Sequence, residues 1–188
     1  MSFSLNDQEK KFLLNLVRES ILKFLTSGSR NKVKYFSENL KTPTGVFVTL
    51  HEQGNLRGCI GYVEGIKPLQ DAVIDNAISA AFSDPRFMPV GEDEVVQLEI
   101  EISVLTPLEL IQDSNEIEVG KDGIFLRKQY FQGLLLPQVA TEQHWDRKTF
   151  LEHTCTKAGL PPDAWQDDDT EIFKFSAIIF SEKEFEDL

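Results

Sequence analysis

The residue types best suited to chemistry are concentrated in one hexapeptide, Leu56 to Gly61 (LRGCIG). It places a thiol, Cys59, two positions from a guanidinium, Arg57, with glycines close by on both sides. A thiolate is a nucleophile, and a guanidinium binds carboxylates and phosphates. A guanidinium near a thiol also favours the thiolate, which predicts a lowered pKa for Cys59. Three interpretations stay open: a buried structural thiol, a functional thiol, or an anion-binding Arg57 beside an uninvolved Cys59.

The hexapeptide is predicted to form the second strand of a β-hairpin. Apolar and polar residues alternate over 46–51 and again over 56–61, which is typical of strands. A three-residue loop, 52–54, would end on Gly54, which tolerates left-handed backbone. We prefer it to a two-residue Gln53-Gly54 loop because it keeps the aliphatic side chains on one face. It predicts these cross-strand pairs: Leu50 with Leu56, Thr49 with Arg57, and Phe47 with Cys59.

The segment from Gly45 to Gly61 resembles the AMMECR-one domain family, whose Leu-Arg-Gly-Cys-Ile-Gly signature it matches at every position. Two further segments carry the resemblance. Asp84-Pro85-Arg86-Phe87 follows an alanine-rich helix, and the segment from Leu134 to Ala140 precedes Trp145. The resemblance covers about residues 45–180. It implies the fold and brings no established biochemical activity with it.

A candidate ligand site follows from the residue chemistry and the resemblance together. Arg86 is predicted to join Arg57 in recognising a carboxylate or phosphate group. The alternative is that Asp84 and Arg86 only hold together the turn that ends the preceding helix. Glycines inside a strand suit a bulge or a close approach by backbone or ligand. The ligand-binding candidates are Arg57, Gly58, Gly61, Asp84, Arg86 and, through the resemblance of its segment, Gln138.

The remaining pattern predicts an α+β protein, with a mainly antiparallel sheet packed against helices. Asn6 and Glu9 form a capping box for an amphipathic helix that ends at Gly28. Helices are also predicted over about 69–82 and from 146 or 147 to Gly159. Strands are predicted over 98–104 and 172–179, and a second hairpin over 123–127 and 131–136. We expect one domain over residues 1–188. The resemblance divides it into a main lobe (about 1–106 with 140–188) and a smaller β-rich lobe (about 107–139) that forms a cleft with it.

Five other side chains carry groups that could take part in chemistry. Glu99 and Glu101 share one face of a predicted strand and are interpreted as the solvated side of the sheet rather than as paired catalytic carboxylates. His51 is predicted to lie roughly 13 Å along the sheet from the level of Cys59, too far to act as its base. His144 becomes a candidate base only if the fold returns it to the cleft. Cys155 lies in an apolar helix stripe and is predicted to be buried.

Bulk properties exclude several function classes. The formal charge of −12 opposes a broad nucleic-acid footprint and binding to an anionic membrane surface. The two cysteines do not make a disulfide framework, and the segment up to Lys11 lacks the apolar core of a signal peptide. No zinc, phosphate-loop or dinucleotide motif is present, so we expect no metal and no cofactor. A cytoplasmic location is predicted.

Three function hypotheses remain. According to the first hypothesis, the chain is an enzyme or enzyme-accessory protein that acts on a small or nucleotide-like metabolite around Arg57 and Cys59. Alternatively, it binds a small anionic ligand without catalysis. The third hypothesis is an interaction protein. Because family members in bacteria and archaea are often encoded beside Memo-like and radical-SAM proteins, the resemblance implies such proteins as partners.

Overall fold

The structure is a computed structural model that describes residues 3–32 and 34–185. The first two residues of the segment used to exclude a signal peptide therefore lie outside the described ranges. The chain forms two compact units, the first running up to Val104 and resuming at Ile178, the second spanning Leu105–Ala177. Within the described ranges, no helix combines the length and the apolar composition needed to cross a membrane. Two antiparallel sheets packed with helices confirm the predicted α+β class.

The first unit is built on a four-stranded sheet with strand order β2-β1-β3-β8. Its strands are β1 (Val46–Glu52), β2 (Asn55–Tyr62), β3 (Leu98–Leu105) and β8 (Ala177–Ser181). Its helices are α1 (Asp7–Ser27), α2 (Leu69–Phe82) and the short α3 (Glu92–Val95). The strand β2, which carries the hexapeptide, is an edge strand and therefore has one row of backbone groups without a neighbouring strand.

The two long helices of this unit follow from their sequences. Asn6 caps α1 with the predicted capping box, and Gly28 ends it with a φ of 63°. The second helix, α2, has the predicted bounds, and its alanine-rich stripe is buried against β1 and β2. Asn76 lies in that stripe and donates its amide N–H to the Val46 carbonyl at 2.9 Å. Small side chains and this hydrogen bond hold α2 close to the strands.

The second unit contains the sheet β4-β7-β5-β6. Its strands are β4 (Glu109–Leu110), β5 (Gly123–Lys128), β6 (Phe131–Leu135) and β7 (Glu171–Phe175). Its helices are α4 (Pro137–Glu142) and α5 (Arg147–Lys157). The helix α5 begins after Asp146, as predicted, and its residue Cys155 is fully buried in the core of this unit.

Two predictions about the C-terminal half differ from the structure. The single strand predicted over 172–179 is two strands, β7 and β8, which belong to different sheets. The chain changes sheets at Ser176, whose N–H and carbonyl are both hydrogen-bonded to Thr106. The second unit is also larger than the small lobe drawn from the resemblance, because α5 and β7 pack onto β5 and β6.

Candidate functional site

The hairpin that carries the hexapeptide has a two-residue turn. Gln53 and Gly54 both have positive φ, 51° and 79°, as the favoured turn for a twisted hairpin requires. Glu52 pairs with Asn55, so the three-residue loop predicted from the sequence is wrong. With regular pairing, a two-residue loop would mix apolar and polar side chains on each face of the hairpin. A β-bulge in β2 prevents this mixing. Arg57 is the extra residue of that bulge.

Beyond the bulge, the register changes the neighbours of Cys59. Cys59 lies opposite Thr49, and not opposite Phe47 as predicted. The Thr49 hydroxyl donates a hydrogen bond to Cys59 Sγ at 3.3 Å. Gly58, the preceding residue, faces α2, so the thiol of Cys59 lies on the opposite face of the sheet. Cys59 is half-buried and Thr49 is 7% exposed.

The turn after α2 is bonded to the outer edge of β2. The Cys59 N–H donates to Asp84 Oδ2 at 2.9 Å, and Arg86 Nη2 donates to the Cys59 carbonyl at 3.3 Å. Asp84 accepts three further hydrogen bonds from Arg86, from its side chain at 3.0 and 2.7 Å and from its backbone N–H at 3.1 Å. These two side chains occupy the backbone groups of Cys59 that a neighbouring strand would otherwise use. They therefore hold the turn together, as one alternative proposed, and fix the backbone of Cys59 as well.

The Asp84 carboxylate is the buried anchor of this arrangement. Its side chain is 2% exposed, and that of Arg86 is 53% exposed. The hydrogen bond from the Arg86 side chain, helped by the backbone N–H groups of Cys59 and Arg86, holds the pKa of Asp84 far below its usual range despite burial. The same pairing raises the pKa of Arg86, with a smaller contribution from the charge of Cys59.

Arg57 is bound to a different carboxylate. Its Nε donates to Glu94 Oε1 at 2.9 Å and its Nη2 to Glu94 Oε2 at 3.3 Å. Arg57 and Arg86 nevertheless come together around one ring, because their guanidinium carbons lie 6.0 and 5.4 Å from the centre of Phe87. Within the described chain, Nη1 of Arg57 is buried and has no hydrogen-bond partner. Both arginines thus keep an ion pair inside the protein, and one of them keeps an unused donor.

The two glycines of the hexapeptide provide space for other parts of the protein. A Cβ on Gly58 would lie 2.2 Å from the Ala80 carbonyl of α2. On Gly61 it would overlap the ring of Phe47 at 2.3 Å. The close approach expected at these glycines is therefore made by a helix backbone and an aromatic ring.

Other candidate residues lie elsewhere. Gln138 belongs to the second unit, in the first turn of α4. His144 is also in the second unit, exposed just after α4 with a φ of 54°. In the first unit, Glu101 pairs with Thr49 and Glu99 pairs with His51 across β1 and β3. Both glutamates therefore share the sheet face that carries Cys59. The sequence could have predicted this only if the pairing of β1 with β3 had been known.

Each unit contains a surface groove. One, of about 470 Å³, is lined by His51, Glu99, Glu101 and Lys183 among others. The other, of about 1170 Å³, lies between the segments 110–114 and 165–172 of the second unit. Neither groove is lined by Cys59 or Arg57. Among the described residues, no group of three His, Cys, Asp or Glu side chains is arranged to hold a metal ion.

Comparison with known proteins places this geometry in a family. The AMMECR1 family model matches residues 14–180. The chain is 45% identical to protein MK0488 of Methanopyrus kandleri, over 98% of this chain and 93% of that one. It is also 45% identical to protein PH0010 of Pyrococcus horikoshii, over 97% and 94%. The crystal structure of that uncharacterized protein superposes with a TM-score of 0.92 at 44% identity, over 95% of this chain and 94% of that one. The chain therefore belongs to the AMMECR1 family.

Proposed function

We propose that the first unit is an enzyme, or the active part of an enzyme system, that uses Cys59 as a nucleophile toward a small or nucleotide-like metabolite. The observation that carries the proposal is the hydrogen bond from the Thr49 hydroxyl to Cys59 Sγ on a strand whose backbone is fixed at that residue. A thiolate is stabilised by a hydrogen-bond donor and by nearby positive charge. The reacting atom is thus held in place before any substrate binds.

Arg86 supports this role through its charge. The negative form of Cys59 raises the pKa of Arg86, after the larger effect of the Asp84 hydrogen bond. Because an attraction between charges acts on both partners, Arg86 also favours the anionic form of Cys59. The carboxylate of Asp84 opposes this effect, because it is ionised over the same pH range and is bonded to the backbone of Cys59.

The test is the alkylation rate of Cys59 by iodoacetamide as a function of pH, in a Cys155→Ala background. We expect the midpoint of the rate profile to lie below about 8.5, the value for an unperturbed thiol. Arg86→Gln should move the midpoint upward, and Cys59→Ser should abolish labelling. A Cys59 that is inert, or that reacts with a midpoint at or above that of a free thiol, would contradict the proposal.

A second candidate function, binding of an anionic ligand without catalysis, is favoured by one observation. Arg57 and Arg86 flank Phe87, and the buried Nη1 of Arg57 has no hydrogen-bond partner in the described chain. Inorganic phosphate and adenosine monophosphate are suitable probes of thermal stabilisation. Binding of this kind should survive Cys59→Ser and weaken in Arg57→Lys, which keeps the charge but not the guanidinium fork. The implied Memo-like and radical-SAM partners, the cleft and the cytoplasmic location stay predictions.

A further inference from the structure

We propose that His51 is the general base that accepts the thiol proton of Cys59, and that Glu99 orients its imidazole. This inference rests on the proposed nucleophilic role of Cys59 and names the group that completes it. The predicted hairpin register had excluded His51 by distance. The observed register removes that exclusion.

The geometry of the strands brings the two side chains to one place. Thr49 lies opposite Cys59, and His51 is the next residue of β1 on the same face. Cys59 and His51 are therefore diagonal cross-strand neighbours, a relation that puts backbones about 7–8 Å apart and within reach of a ring side chain. The bulge at Arg57 lies between these two pairs, and bulges increase local twist and redirect side chains.

Glu99 is placed to orient the imidazole. It lies directly opposite His51 in the β1–β3 pairing, where side chains begin about 4.5–5.5 Å apart. A carboxylate that accepts the N–H of one imidazole nitrogen leaves the other nitrogen free to accept a proton. Glu99 is itself held by Lys183, whose Nζ lies 2.6 Å from Oε2.

His51 is also open to a small molecule, because it lines the groove of about 470 Å³. Charged groups face this groove from two further segments, and carboxylates predominate among them. They are Glu99 and Glu101 on β3, and Glu182 and Lys183 after β8. Glu52 and Arg57 are the remaining charged residues of the hairpin beside it. The carboxylates balance the positive charge that the imidazole acquires with the proton.

The chemical step is complete without a further reagent. The S–H bond of Cys59 breaks, and its proton passes to the imidazole nitrogen of His51. The sulfur lone pair then forms a bond to an electrophilic carbon, and that carbon releases its leaving group. With iodoacetamide as the electrophile, a C–S bond forms, the C–I bond breaks and iodide departs.

Alkylation of Cys59 by iodoacetamide in His51→Asn tests the proposal, again with Cys155→Ala as background. At pH 6.5 we expect the rate to fall about tenfold, because the thiol loses its proton acceptor. Above pH 9.5 the rate should match that of the parent protein, since the thiol then ionises without help. His144→Asn is the matched control and should leave both rates unchanged. Equal rates for His51→Asn and its parent at pH 6.5 would overturn the role of His51.

A second readout does not depend on the variant folding well. The imidazole ring signals of His51 are followed by NMR at one fixed pH before and after Cys59 is blocked with methyl methanethiosulfonate. Blocking the thiol removes the proposed hydrogen-bond partner of the imidazole, so the ring signals of His51 should shift while those of His144 stay in place. Unchanged His51 signals would overturn the inference. If Cys59 of the parent protein is inert, the proposed function fails as well. If Cys59 is reactive and His51 has no effect, only this inference fails.

Discussion

The chain builds the same local arrangement twice, a β-hairpin covered by a helix. In the first unit α2 covers β1 and β2, and in the second α5 covers β5 and β6. Both hairpins turn through two residues, the first of them a glutamine with positive φ, Gln53 at 51° and Gln129 at 53°. Each also carries a strand glycine directly beneath the helix, Gly58 and Gly133. The two arrangements share one solution to the packing of a helix on a hairpin.

They differ in register and in where the cysteine lies. The second hairpin pairs without interruption from Lys128 opposite Phe131 to Ile124 opposite Leu135. The first contains the bulge at Arg57, and its cysteine lies on the strand just beyond that bulge. The cysteine of the second arrangement, Cys155, lies in the helix and is fully buried. The cysteine that accompanies the regular hairpin is therefore part of a buried core, whereas the cysteine of the bulged hairpin lies on a half-buried strand.

The largest expected difference between the two arrangements is in thiol reactivity. In the native protein at pH 7.5, Cys59 should be alkylated by iodoacetamide at least about 100-fold faster than Cys155, because alkylation follows thiolate fraction and access. Cys155 is fully buried, and burial raises the pKa of its thiol. Peptide mass spectrometry over time measures both sites in one sample. Comparable rates would show that the two cysteines do not differ as their surroundings suggest.

Both arrangements place a strand glycine directly beneath a helix, and substitution of these two glycines tests whether the helix packs equally closely in each. Gly58→Ala should lower the free energy of unfolding by about 3 kcal/mol, because its Cβ would lie 2.2 Å from a helix carbonyl. Gly133→Ala should cost about 2 kcal/mol, since its nearest backbone atoms lie at 2.7 and 2.8 Å. Denaturant unfolding measures both.

Gly91→Ala is the control for these glycine substitutions. Its Cβ would approach only a side-chain oxygen, at 3.4 Å, so the variant should be nearly neutral. A neutral Gly58→Ala would mean that α2 does not press on β2 as described, and the parallel between the arrangements would be lost.

The carboxylate of Asp84 fixes the backbone of Cys59 in the first hairpin, and Asp84→Asn should expose its contribution. We expect a loss of about 2–3 kcal/mol, because charged hydrogen bonds to a buried group are removed. Asp146→Asn, at the N-cap of α5, is the matched control and should change little, since asparagine caps as well as aspartate.

The pH dependence of the same variant gives the sign of the effect. The folded-state pKa of Asp84 is lowered, so its stabilisation is complete above the unfolded value of about 3.9 and is lost as the pH falls below it. The stability difference between the parent protein and Asp84→Asn should therefore narrow from pH 5 to pH 2. A difference that stays constant over that range would contradict an ionised, hydrogen-bonded Asp84.

Local signals in the sequence were sufficient for much of the fold. The capping box at Asn6 and Glu9 and the bounds of α2 are confirmed, because each depends on residues close in sequence. The burial of Cys155 follows in the same way from its apolar stripe.

The site itself depended on pairing that the sequence does not display. The bulge at Arg57 adds one residue to β2, and the strand glycines that suit a bulge do not show where it lies. The two-residue turn and this bulge each shift the register by one residue, and together they move the partner of Thr49 from Arg57 to Cys59 and bring His51 closer along the sheet. The bond between Asp84 and the Cys59 backbone joins residues 25 apart and could be seen only in three dimensions. The chemistry of the residue types was therefore predictable, but their neighbours were not.

The smallest expected effect concerns the two turns. Each has a glutamine with positive φ at its first position, but the second position has positive φ only in the first turn, at Gly54. Glutamine at positive φ is unfavourable, whereas asparagine tolerates this conformation and is preferred in such turns. Gln53→Asn and Gln129→Asn should each raise the free energy of unfolding by about 0.5 kcal/mol, partly because asparagine reaches the turn at lower cost. The two increments should add, since the turns belong to different hairpins. If only Gln129→Asn stabilises the protein, the bulge beside the first turn must hold Gln53 in place by itself.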